Sequence, residues 1–190
     1  MPTPGAYSPA IRQRPCSPFV GTFSYEGYHS EPIHNATAPA SAAYPTTNQA
    51  YYHPIVIPKF TVIYRFFWLN GATVGTNNIQ VGIYNDNDAG TDGPGNAVLR
   101  GTSTLSAGAN ICQFDNVTDT AIGPGLYWLG IWCSGTTATL FRSTPNNLHG
   151  KMTGAYTEAA GAGGLPATAT PAQLGTPYIP VYGFTTISAP

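Results

Sequence analysis

The sequence predicts an all-β protein, a jelly-roll-like antiparallel β-sandwich with an extended proline-rich N-terminal arm. Three observations carry this expectation. Gly 22 and Pro 18, with abundant Thr and Ala, supply turns at close intervals. The helix formers Glu, Lys, Leu and Gln are sparse. Beyond Lys59, short apolar stretches recur at roughly 8–12-residue spacing with Gly, Pro, Asn or Asp between them, the rhythm of a sandwich or jelly roll. A chain of 190 residues is long enough for one well-buried domain with an arm left over.

Residues 1–58 form the expected arm. Prolines recur through it, removing backbone donors and favouring extended geometry, and no period of 2 or 3.6 is sustained. Phe19, Phe23, Tyr25, Tyr28, Tyr51 and Tyr52 are aromatic anchors that a purely solvated tail would not need, so they are the expected partner-binding residues. The sandwich is expected over 59–190. "KFTVIYRFFWLNG" opens it as a strand with Phe60, Val62, Tyr64, Phe66 and Trp68 on the core face, ended by the Asn70-Gly71 turn. "NIQVGIY" follows with Ile79, Val81 and Ile83 inward. "AVLRGTSTL" and "ICQFDNV" are the third and fourth strands. "GLYWLGIWC" is the most apolar, with Trp128 and Trp132 on one face and Leu129, Ile131 and Cys133 on the other. "TATLFRS" is expected to pair with it as a hairpin. An irregular loop is expected at about 145–177, marking a functional loop or an interface. "YIPVYGFTTI" then closes a sheet as an edge strand, because Pro180 disfavours a central one.

Charge narrows the function classes. Charged residues are 8% of the chain and the net charge is −1, so no electrostatic footprint for nucleic acid is present. No apolar run approaches the roughly 20 residues a membrane-spanning helix needs, and membrane is not an expected partner. The start of the chain carries no secretory signal pattern, although the composition is that of an exterior adhesion domain. Synthesis in a cytoplasm followed by life on the exterior of a particle reconciles the two.

Candidate chemistry is thin. Carboxylates and histidines are scattered, and no nucleophile-elbow, zinc-protease, P-loop or dinucleotide fingerprint occurs, so no catalytic residue and no cofactor are expected. Cys16, Cys112 and Cys133 match no zinc spacing, and a Cys112–Cys133 bridge is left open. Asp86, Asp88 and Asp92 crowd the loop between two strands. An EF-hand pattern begun at Asp86 fails at Gly90, Thr91 and Ala97, leaving an irregular cation site or an Asx-type turn. Trp68, Trp128 and Trp132 are the aromatics that would serve a glycan platform or a subunit interface if they faced outward.

"VGIYNDNDAGTDGPGNAVLRGTS" followed by "IGPGLYWLGIW" resembles jelly-roll domains of tailed-bacteriophage structural proteins over residues 59–143. The resemblance implies a non-enzymatic virion subunit on the exterior of the phage particle, assembled in the host cytoplasm. The expected role is a capsid decoration (cement) protein, bound to the major capsid protein or other virion subunits as a homo-oligomer, for instance a trimer. A carbohydrate- or receptor-binding module of a tail fibre is the alternative, and a tail or neck adaptor the second. On this view, deleting residues 1–54 abolishes shell binding and leaves a folded domain.

Overall fold

The computed structural model describes residues 19–20, 26–29, 40–87, 93–143, 155–174 and 178–187, the first two stretches by backbone alone. The described residues are all-β and contain no helix, as composition predicts. Three antiparallel sheets are formed. A five-stranded sheet runs in the order β1 (Phe19–Val20), β2 (Glu26–His29), β15 (Tyr182–Ile187), β5 (Thr61–Leu69), β9 (Cys112–Ile122). A seven-stranded sheet runs β13 (Ala172–Gln173), β12 (Tyr156–Ala159), β4 (Gln49–Ile57), β10 (Gly125–Cys133), β6 (Asn78–Asp86), β7 (Pro94–Arg100), with β8 (Thr104–Leu105) also on β6. A three-stranded sheet joins β14 (Ile179–Pro180), β11 (Thr139–Ser143) and β3 (Ala40–Ala43).

The main core fills the space between the two larger sheets. β10 contributes Leu129, Ile131 and Cys133, and β6 contributes Ile79, Val81 and Ile83, the residues that alternation assigned inward. They meet Ile63, Phe66 and Trp68 of β5 and Tyr182 and Phe184 of β15. The opposite face of β10, with Trp128 and Trp132, is also buried, in a second cluster with Ala50, Tyr52, Tyr84, Leu165 and Ala169. A strand covered on both sides must be apolar on both, which is why "GLYWLGIWC" shows no polar alternation.

Several expectations are corrected. The sandwich starts well before Lys59: β4 pairs with β10 along all nine of its residues and with β12 over Gln49, Ala50, Tyr51 and Tyr52. Pro54 is tolerated because β12 has already ended there, leaving β4 a side on which a missing N–H breaks no ladder. Along β5 the inward face is Ile63, then Phe66 and Trp68, while Phe60 is 66% exposed. A register irregularity between Ile63 and Arg65 shifts the alternation by one residue. β11 pairs with β3 and β14 instead of forming a hairpin with β10. β15 lies between β5 and β2, and Pro180 sits in the separate short strand β14. Within the segment 145–177, expected to be an irregular loop, residues 155–174 contain β12 and β13, and the remainder lies outside the described residues.

Candidate functional site

The outer face of the seven-stranded sheet holds the densest group of sequence-selected aromatics. Tyr52 of β4, Tyr84 of β6 and Trp128 and Trp132 of β10 all point to this side. Gly130 is the floor between them. A Cβ there would stand 3.0 Å from both the Tyr52 and Tyr84 rings, which meet edge-to-face at 5.2 Å. Tyr156 of β12 closes the group, edge-on to Trp128 at 5.3 Å. Over these rings lies the β12–β13 connection, residues 160–171, a run of Gly, Ala, Thr and Pro with Leu165 as its one large apolar side chain.

Polar groups hold this connection down. The Leu165 N–H donates to Gln80 Oε1 at 2.7 Å, and Arg100 Nη1 donates to the Leu165 carbonyl at 2.6 Å. Tyr84 donates to the Pro166 carbonyl at 2.7 Å and Trp132 Nε1 to the Gly161 carbonyl at 3.1 Å. At the far edge Ala97 N donates to Ala167 O, and Ala169 N to Gly95 O. Glu158 accepts from the Tyr52 hydroxyl through one oxygen and from Thr170 N, at 2.8 Å, through the other. Burial, with the nearby Tyr84 and Glu158, pushes the Tyr52 phenol upward, keeping it neutral and able to donate.

None of the three tryptophans forms an open platform: Trp68 is 0%, and Trp128 and Trp132 are each 2% exposed. Each indole N–H is consumed internally, by Asn70 Oδ1, Asp86 Oδ1 and the Gly161 carbonyl respectively. The condition for a glycan platform, outward-facing rings, is therefore not met in this structure. Tyr51 and Tyr52, at 5% and 0% exposure, belong to the packed interior and not to a partner-binding arm. Phe19 and Tyr28 fall in β1 and β2, where only the backbone is described, and Phe23 and Tyr25 lie outside the described residues. Asp88 and Asp92 also lie outside them. Asp86 acts as a strut, accepting from Trp128 Nε1 at 2.7 Å and from Gly93 N at 3.4 Å. Among the described residues no group of three His, Cys, Asp or Glu side chains gathers at a metal-binding distance. Cys112 and Cys133 do not bridge: the first is exposed, the second buried, with its thiol donating to the Gly135 carbonyl.

Sequence reasoning missed a buried polar cluster at the heart of the sandwich. His53 is fully buried, with Nδ1 2.7 Å from the Tyr182 hydroxyl and Nε2 donating to the Tyr178 carbonyl at 3.2 Å. The Tyr182 hydroxyl reaches the Leu129 carbonyl at 2.8 Å, tying β15 to β10 across the core. Tyr44, Tyr51 and Tyr178 pack beside them, edge-on or tilted to one another, with ring centroids 5.0–5.5 Å apart. Burial raises the Tyr44 and Tyr178 phenols far above their ordinary value and keeps both neutral; Tyr44 donates to the Gln49 and Ile131 carbonyls, while the Tyr178 hydroxyl is buried without a hydrogen-bond partner among the described residues. The signal available in the sequence was a dense aromatic and His grouping over 44–53, which the prolines around it obscured.

The outer face of the five-stranded sheet is more open. The Arg65 guanidinium lies 4.0 Å over the Phe114 ring, and Phe114 is 43% exposed on edge strand β9. Leu105 and Ile111, at 52% and 50%, are exposed in the segments just before it. No protein-family model matches the chain, and no curated protein matches it.

Proposed function

We propose that this chain is a non-enzymatic structural subunit of a virus particle, a jelly-roll-like decoration (cement) protein of a phage head. The observation that carries the reading is where its polar and aromatic chemistry has gone. Asn70 takes N–H and O–H donors from Trp68 and Ser106, and donates to Ala107, Gly108 and Gln113. Asn77 accepts from Thr137 and Ala138, while Gln80 and Glu158 hold the β12–β13 connection. Side chains of types that elsewhere bind ligands are spent here on fixing loops to strands. That is the construction of a body that works through its exterior. The exposed Leu105, Ile111 and Phe114 supply apolar contact area of the kind a subunit interface uses. The phage assignment itself rests on the resemblance of residues 59–143.

Co-sedimentation with purified phage particles tests the reading. A decoration role requires many copies per shell, and a tail or neck adaptor only a few. Absence from particles sinks both. The glycan-binding alternative gains nothing from the closed structure, because the three tryptophans it would use are enclosed.

A further inference from the structure

We propose that residues 160–171 are a flap that swings open as one unit from the edge of the seven-stranded sheet, uncovering an aromatic platform while the sandwich stays folded. The two ends of the flap leave the sheet side by side, since β12 and β13 pair through Tyr156–Gln173 and Thr157–Ala172. A segment whose ends meet is an Ω-type loop, and it lifts without displacing any other strand. Its bonds differ in kind from those of the sheet beneath. The flap is secured by side-chain bonds from Gln80, Arg100, Tyr84, Trp132, Asn96 and Glu158, by two backbone bonds to β7, and at its hinge by the Ala160 N–H to the Asn48 carbonyl. β10 beneath it has full ladders on both sides, to β4 and β6. Opening breaks these flap bonds and separates Leu165 and Ala169 from the rings beneath, but it leaves every strand ladder of the sandwich and the main core intact, so it falls below global unfolding in free energy. What it covers is Tyr52, Tyr84, Trp128 and Trp132 around the Gly130 floor. Opening brings solvent to these rings, which the closed structure keeps buried.

The bolt is Gln80. Its Oε1 takes the Leu165 N–H, and Gly164 packs against it with φ +96 and no room for a side chain, a Cβ falling 2.2 Å from that oxygen. Amide hydrogen exchange on the full chain tests the proposal. The Leu165, Ala169 and Thr170 amides are expected to share one protection level, well below that of the Leu129 and Ile131 amides. Gly164→Ala speeds all three by at least about tenfold and leaves the β10 amides unchanged. If that variant fails to fold, a lock replaces it. Asn96 and Thr168 form a cross-strand bridge with side chains 2.7 Å apart, so an Asn96→Cys/Thr168→Cys disulfide slows the three amides when oxidised and releases them when reduced. Flap amides as protected as those of β10, or a lock or Gly164→Ala that alters one amide alone, overturns the proposal.

Discussion

Replacing Asp86 by Ala separates the two meanings of the acidic loop. In the structure Asp86 Oδ1 is the acceptor for the Trp128 indole N–H at 2.7 Å, and that indole is 2% exposed. Ala leaves a buried donor without its acceptor, which costs about 1–3 kcal/mol. The second bond, from Gly93 N at 3.4 Å, is long and adds little. A loss of about 2 kcal/mol lowers the melting temperature of a domain this size by roughly 4–8 °C. Thermal unfolding followed by circular dichroism, with and without millimolar calcium, reads this directly. Asp86→Asn keeps an oxygen acceptor and is expected to lose less than half as much. Calcium leaves all three melting temperatures unchanged if Asp86 is a strut. An Ala variant melting within about 1 °C of the parent, or a calcium-dependent stabilisation that vanishes in the variant, refutes the reasoning.

Two further outcomes follow from the strand assignments and from one buried carboxylate. Deleting residues 1–54 removes β3 and most of β4, including Tyr51 and His53, and is expected to abolish the cooperative melt. A folded 1–54 deletion with a cooperative melt would show that β4 is dispensable. Burial raises the Asp115 carboxyl above the ordinary range, against the opposing pull of the Thr102 N–H. The folded state therefore binds this proton more tightly than the unfolded state. Its stability contribution is present in acid and is lost as pH rises through the folded value. Asp115→Asn retains an oxygen for Thr102 N and never ionises, so its stability relative to the parent is expected to be greater at pH 7 than at pH 4. A difference that does not vary with pH between chemical-denaturation curves contradicts the assignment.

What was legible in the sequence was legible for a local reason. β6 displayed its inward Ile79, Val81 and Ile83 because the residues between them are polar, small or aromatic with a hydroxyl. β10 announced itself by unbroken apolarity between Gly-Pro-Gly and Ser-Gly. β4 hid for the opposite reason. It is buried on both faces, so alternation vanished, and its proline suggested an arm where the missing ladder on one side in fact accommodates it. The β5 phase was misread because an irregularity in pairing, which depends on β9 and β15, moves every residue before it to the other face. Tyr52, Trp128 and Trp132 stood out in the sequence as candidates for partner or ligand contact, but which way they face was beyond it. Only the return of 160–171 over the sheet turns Trp128 and Trp132 from a platform into a core.

The sequence by itself determined that this chain is all-β, where its strongest strands run and where the turns between them fall, because propensity, period and turn chemistry act over a few neighbouring residues. The tertiary structure alone decided which strands are central, which faces are covered and which polar side chains are spent on holding loops. Those outcomes come from contacts such as Glu158 with Tyr52 and Leu165 with Gln80, made between segments more than eighty residues apart, whose pairing no local pattern encodes.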